Sequence, residues 1–285
     1  MIITRLKAGL GNQMFQYALG RRLSVDGDDD LKFDLSWFDD IQINETRRVL
    51  EIDKFNVVLP KATRAETEDL QSGYLFQVKE FMDRVRGRLD RNFFYRFDPK
   101  ILKKKNNVFL NGYFQAHEYF DSIRSILLKD FTIKSWSSDG MEIRGQVEKA
   151  RNPVALHIRR GDFVTTCKHW NGLCDINYYQ AGLSQIKKRD SDAQLFIFSD
   201  DIKWAQENLM FEEQMIFVSR SGLCSAEEIA LMSLCKHQII ANSTFSWWGA
   251  WLNQNEQKIV VAPSRWLIIA NIDTHDLLPN EWIKI

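Results

Sequence analysis

The 285-residue chain has no surplus of charge of either sign, because 38 lysines and arginines offset 38 aspartates and glutamates. No global field recruits nucleic acid, and that class of partner is excluded from the expectations. Cysteine is scarce: Cys167, Cys174, Cys224 and Cys235 form no CxxC pair. So few cannot build a disulfide scaffold, which fits a reducing compartment. Long apolar runs are missing, and the first residues, Met1 to Leu6, read as a strand rather than a secretion signal. A cytoplasmic protein is expected. There is no internal repeat, and the 14 glycines and five prolines are scattered rather than gathered in a linker. The length suffices for two domains, whose boundary has to be read from changes of pattern.

The most informative stretch is Val154-Ala155-Leu156-His157-Ile158-Arg159-Arg160-Gly161-Asp162. An apolar run entered after Pro153 and closed by Gly161 predicts a central strand of an α/β sheet, and ligands of such sheets sit beyond the carboxyl ends of the strands. Arg159 and Arg160 fall at that end. An arginine keeps its proton and offers a planar fork of donors, so it needs a carboxylate or a phosphate there. Asp162 supplies the first option and an anionic ligand the second.

Two later strands end in comparable chemistry. Gln194 to Phe198 runs into Ser199-Asp200-Asp201, where one acid suits a helix cap and the other can accept from a ligand with adjacent N–H donors, as guanine has. The DxD spacing of metal-dependent sugar transfer is missing at this strand end. Gln238 to Ala241 exits into Asn242-Ser243-Thr244-Phe245-Ser246-Trp247-Trp248-Gly249-Ala250-Trp251-Leu252. Hydroxyls at a helix start offer donors to an anion, and the helix dipole helps. Trp247 and Trp251, one turn apart, read first as core. Arginines, acids and hydroxyls at successive strand ends are the groups a nucleoside diphosphate needs.

The amino-terminal half is less explicit. Ile2 to Leu6, the turn Ala8-Gly9-Leu10-Gly11-Asn12-Gln13 and a helical run from Met14 to Leu23 form a strand, turn and helix. Met14 stands where the third glycine of GxGxxG belongs, so the dinucleotide signal is weak, although Asp34 sits where a Rossmann protein holds its ribose carboxylate. Asn12 is open to two readings, helix cap or ligand contact. Between Lys79 and Lys105, ten basic residues face four acids, with Phe93, Phe94, Tyr95 and Phe97 among them. That mixture fits either contact with anionic lipid or a solvated face over an aromatic cluster. Val108 to Gln115 predicts a strand with polar and aromatic residues at its exit, followed by His117, Glu118 and Tyr119; such residues line sugar sites or simply pack. Cys167, His169, Cys174 and Asp175 match no common zinc spacing, and the 165–175 loop is expected to be a lid near the acceptor.

Together, Gly9-Leu10-Gly11-Asn12-Gln13-Met14-Phe15-Gln16-Tyr17-Ala18, His157 to Asp162, Phe198 to Asp201 and Asn242 to Leu252 resemble the bacterial α-1,2-fucosyltransferase family, relatives of the α-1,6- and protein O-fucosyltransferases. The resemblance implies an α/β fold of the GT-B type with two Rossmann-like domains facing a cleft. An acceptor-side domain is expected over 1–150 and a GDP-fucose-binding domain over 151–285. It also implies donor GDP-β-L-fucose, inversion, neither metal nor cofactor, and a galactose-containing acceptor. A lipid-linked acceptor and peripheral contact with the inner face of the plasma membrane through the 79–105 stretch are separate expectations.

By the same carry-over Arg159 steadies the departing diphosphate, and Arg160 assists or pairs with Asp162. His157 and one of Asp200 or Asp201 hold guanosine; Ser243, Thr244 and Ser246 hold the phosphates; Asn12, beside Gly11, meets the junction of phosphate and fucose. Asp162 is the candidate base or an orienting group, and Glu118 is the second choice. The competing expectations are a nicotinamide-dependent oxidoreductase, resting on Gly9, Gly11 and Asp34, and a glycan-binding protein without catalysis.

Overall fold

The computed structural model describes residues 1–39, 47–72, 96–105, 107–165, 172–220, 222–268 and 274–285. It divides into two compact units, Met1–Phe131 with Ala270–Pro279 and Thr132–Ile269 with Asn280–Ile285.

In the first unit the sequence opens with β1 (Ile2–Arg5), α1 (Leu10–Gly27) and β2 (Leu31–Asp34), followed by α2 (Arg64–Ser72), β3 (Val108–Leu110) and α3 (Arg124–Asp130). The three strands form a parallel sheet in the order β2-β1-β3. Helix α1 begins earlier than its apolar spacing suggests. Gly9 is the extended N-cap, so Gly11 and Asn12 lie inside the first turn and Asn12 is not the cap. The helix lies close to the sheet because Gly20 has no side chain: a β-carbon there would stand 2.5 Å from the Thr4 hydroxyl oxygen. Tyr17 and Arg21 both donate to Asp130, at 2.9 and 3.1 Å, which pins α3 against α1.

The second unit contains α4 (Ser138–Lys149), β4 (Pro153–Ile158), α5 (Ile176–Lys187), β5 (Gln194–Ser199), α6 (Ile202–Asn208), β6 (Met215–Phe217), α7 (Ser225–Leu234), β7 (His237–Ile239), α8 (Thr244–Leu252), β8 (Val260–Ala262) and β9 (Ile283–Lys284). All six strands run parallel in the order β6-β5-β4-β7-β8-β9. Parallel sheets carry helices on both faces, and this one has two cores. Val154, Leu156 and Ile158 pack with Tyr179, Leu183 and Ile186 of α5 on one face. Ala155, Phe196 and Phe198 pack with Ile143 and Val147 of α4 and with Leu231 and Met232 of α7 on the other. That explains why β4 reads as an unbroken apolar run. It also explains why this unit starts near residue 132 rather than 151: α4 supplies part of the sheet's second face.

Among the described residues no helix is long and apolar enough to cross a membrane. Most of the basic, aromatic stretch 79–105 lies outside the described residues.

Candidate active site

Strand order locates the openings. In the second sheet the chain runs β4 to β5 to β6 on one side, then continues through β7, β8 and β9 on the other, so the direction reverses between β4 and β7. Helices that leave neighbouring strands toward opposite faces part at such a point and leave a crevice beyond the strand ends. Arg159 to Asp162 follow β4, and Asn242 to Thr244 follow β7. The predicted strand-end residues therefore meet where the topology opens.

Arg159 is held by two carboxylates. Its Nη2 donates to Asp162 Oδ1 at 2.7 Å, and its Nη1 lies 2.9 Å from Asp200 Oδ2. The guanidinium also lies 5.5 Å from the centre of the Phe163 ring. Two bonds leave further N–H groups of the fork available to a ligand. Asp200 accepts the backbone N–H of Arg160 at 2.8 Å with its other oxygen. A β-carbon on Gly161 would collide with this carboxylate, so the glycine of Arg-Arg-Gly-Asp keeps the loop close to Asp200. Arg160 rests 3.9 Å above the Trp204 ring and pairs with Asp201 at 3.3 Å. Asp201 is the N-cap of α6, accepting from Trp204 N at 3.2 Å. One acid of the doublet is thus a cap, and the other organises the arginine loop.

His157 is buried, 3% exposed, and stands 5.6 Å from the Phe245 ring in the first turn of α8. That contact ties the end of β4 to the residues after β7. Burial, reinforced by the Arg159 charge, pushes the imidazole down to about 3, so it is neutral near pH 7. Among the described residues its buried Nδ1 has no hydrogen-bond partner, and a buried polar group left that way calls for an explanation such as a ligand or water.

The hydroxyls divide. Ser243 caps α8 and accepts from Phe245 N at 3.3 Å, and Thr244 beside it is half-buried. Ser246 does not join them. It is fully buried, and its hydroxyl donates back to the Ala241 and Ser243 carbonyls at 3.4 Å. Asn242 is structural too, donating to the carbonyls of Gly172 and Trp266 at 2.9 and 3.0 Å. Trp247, Trp248 and Trp251 pack on one another as core. Cys174 reaches Asn242 at 3.8 Å and Asp175 caps α5, while residues 166–171, with Cys167 and His169, lie outside the described residues. Among the described residues no group of three His, Cys, Asp or Glu is arranged to hold a metal ion.

The first unit separates its motif into structural and available parts. Gln13 is fully buried and fully bonded: Nε2 donates to the carbonyls of Ala8 and Val49, and Oε1 accepts from Glu51 and Ile52 N. Gln16 accepts the Lys7 N–H at 2.9 Å. Sequence reasoning assigned neither role; amides on consecutive turns behind a tight loop are the signal that could have found them. Asn12 instead meets Gln115, whose Nε2 donates to Asn12 Oδ1 at 2.7 Å. Asp34 is bound by Arg5 at 2.7 Å and accepts the Ser36 N–H; these bonds outweigh burial, which alone would raise its pKa, and hold it below the usual range. Glu118 Oε2 is buried without a hydrogen bond among the described residues and pairs with His117 Nε2 at 3.7 Å.

The whole chain, residues 1–285, matches the family described as glycosyl transferase family 11. The chain belongs to that family. It is 34% identical to WbnK of Escherichia coli, an O-antigen biosynthesis glycosyltransferase, over 98% of this chain and 99% of the relative. It is 31% identical to an α-1,2-colitosyltransferase of the same organism, over 100% of this chain and 99% of that one. The Mus musculus galactoside 2-α-L-fucosyltransferase Sec1 is 29% identical over 51% of this chain and 42% of its own. A solved structure of the α-1,6-fucosyltransferase NodZ soaked with GDP-fucose superposes with a TM-score of 0.50 at 14% identity, covering 88% of this chain and 91% of that one. The family 11 chain therefore has the GT-B type of fold, in agreement with the expected fold class. Membership also makes it a glycosyltransferase, which removes the oxidoreductase; Asp34 is occupied by Arg5 in any case.

Proposed function

We propose that this family 11 enzyme moves L-fucose from GDP-β-L-fucose to the 2-hydroxyl of a galactose in an O-antigen-type glycan, with inversion and without a metal. The observation that carries this reading is Arg159, fixed by Asp162 and Asp200 at the reversal point between β4 and β7. Cleavage of the fucose–diphosphate bond builds charge on the leaving phosphate, and a cation positioned in advance stabilises it without reorganising during the reaction. Asp162 and Asp200 hold that cation in place, and Ser243 and Thr244 at the start of α8 add donors to the phosphates. Neutral His157 and the Asp200–Asp201 end of β5 receive the guanosine. The second unit takes the donor, and the first the acceptor.

Asp162 spends one oxygen on Arg159, which favours orientation over proton transfer as its role. The acceptor hydroxyl still loses a proton, and Glu118, whose buried Oε2 accepts no hydrogen bond among the described residues, is the alternative recipient. Lipid linkage of the acceptor and peripheral attachment at the inner membrane through residues 79–105 extend the reading. Salt-sensitive pelleting with anionic liposomes tests that part, and no pelleting removes it.

The identity to the colitosyltransferase favours a second donor, because colitose is fucose without its 3-hydroxyl. A site that hydrogen-bonds the hydroxyl rejects the deoxy sugar strongly, whereas an apolar pocket discriminates weakly. Incubation with GDP-fucose or GDP-colitose and a panel of β-galactosides, with and without chelator, followed by linkage analysis, tests all parts. Transfer to the galactose 2-hydroxyl, unaffected by chelator, is expected. Another linkage, or activity only with added divalent cation, overturns the proposal.

A further inference from the structure

The sheet of the first unit has its own reversal point. The chain goes from β1 to β2 on one side and returns to β3 on the other, so the crevice falls beyond the ends of β1 and β3. What stands there differs in kind from the arginine site. Lys7, after β1, donates to Asn111 Oδ1 at 2.9 Å and lies 4.9 Å over the ring of Tyr113, both of which follow β3. Tyr113 is 46% exposed. Gln115 and Asn12 form their amide pair on the same exit. Whichever way the two amides are drawn, one whole NH₂ group and one carbonyl oxygen remain without a protein partner among the described residues.

The backbone at both exits is unusual. Ala8 and Phe114 have φ values of 63° and 52°, left-handed conformations that side chains disfavour. Gly112 makes room for the Phe114 ring, since a β-carbon there would stand 2.7 Å from it. Costly backbone conformations thus follow both β1 and β3, and such strain concentrates at ligand clamps.

We infer that Lys7, Asn111, Tyr113 and Gln115 form the subsite for the acceptor pyranoside. The inference rests on the fucosyl-transfer reading above and supplies its acceptor half. A single ammonium already bonded to an amide is a poor diphosphate cradle. A sugar ring fits the set better: its hydroxyls are donors and acceptors at once, matching the open amide N–H and carbonyl, and its C–H face covers an aromatic ring. Tyr113 is the platform, and Gln115, held by Asn12, reads the hydroxyls.

The test uses the full-length chain carrying Tyr113→Ala, Tyr113→Phe or Gln115→Ala, with lactose and methyl β-D-galactopyranoside as probes. Tyr113→Ala is expected to raise acceptor KM about tenfold, the effect of uncovering a few tens of Å² of apolar surface. Its donor KM and the thermal shift given by GDP should match the parent, and Tyr113→Phe should recover acceptor KM because the ring is restored. Gln115→Ala is expected to raise acceptor KM as well. Acceptor KM unchanged within twofold in both alanine variants overturns the inference, as does a raised donor KM with acceptor KM constant. Saturation-transfer NMR of the same glycosides reads the subsite without turnover. Signal in the parent that is lost in Tyr113→Ala supports it even if GDP-fucose proves to be the wrong donor; no signal in the parent, or equal signal in both, overturns it.

Discussion

Arg159 and Asp200 are joined across neighbouring strands, Nη1 to Oδ2 at 2.9 Å, while the second oxygen of the same carboxylate holds the backbone N–H of Arg160 at 2.8 Å. Position and charge of the arginine are therefore set together. Removing Arg159 removes the cation itself. Arg159→Ala is expected to lower kcat about 100- to 1000-fold with the fold retained, the usual cost of losing one such stabiliser. Arg159→Lys should recover little, because a single ammonium cannot span both carboxylates and still face a phosphate. Steady-state turnover with the thermal midpoint measured alongside checks both; near-normal kcat in the alanine variant sinks the role.

Gly161 offers a subtler perturbation that keeps every charged group. In Gly161→Ala the new methyl meets the Asp200 carboxylate, which must shift and carry Arg159 with it. A 1 Å displacement of a catalytic group costs roughly 100-fold in rate. The expected pattern is a large fall in kcat with the thermal midpoint nearly unchanged. Parent-like kcat would show that the Asp200 contact does not position the arginine.

His157 makes stability depend on acidity. Its pKa falls from 6.5 in the unfolded chain to about 3 in the folded one. Below pH 6.5 the unfolded state binds a proton that the native state does not, so stability is complete above that value and lost as pH falls toward 3. Buried His237 is shifted in the same direction, first by burial. The difference between parent and His157→Gln isolates the contribution: the variant's thermal midpoint should fall less steeply between pH 6.5 and 4. Parallel curves would contradict it.

Gln13 is a stability prediction away from the chemistry. Its side chain satisfies the carbonyls of Ala8 and Val49 and the backbone N–H groups of Glu51 and Ile52, tying the β1–α1 turn to the 49–52 segment. Each buried group left unpaired costs about 1–3 kcal/mol, so Gln13→Ala should destabilise by about 3 kcal/mol or more. Urea unfolding of the two proteins reads the difference directly, and a loss under 1 kcal/mol would contradict the accounting.

The legible parts of this chain were those where one force dominates. Val154 to Ile158 is apolar at every position but one because both faces of β4 are covered, and Arg159 at its end needed an anion whatever the fold. Gly20, Asp34 and Ser246 were opaque for a common reason: each has a chemistry usable in two ways, and only the neighbour decides. Thr4 decides for Gly20, Arg5 for Asp34, and the Ala241 carbonyl for Ser246. The same holds for Asp200 and Asp201, which are identical in sequence context yet differ in work. The second unit begins near residue 132 because α4 covers the second face of its sheet, a contact that the sequence pattern does not display.

The closing stretch of the chain has a practical consequence. Asp276 belongs to the first unit and accepts the Phe97 N–H at 2.8 Å, while β9, a few residues later, forms the last strand of the second sheet beside β8. Neither half can be made whole by one cut: a fragment ending at Phe131 lacks its carboxylate clasp, and a tail trimmed before Asn280 strips an edge from the other sheet. Halves prepared for separate titration must be designed as interleaved pieces.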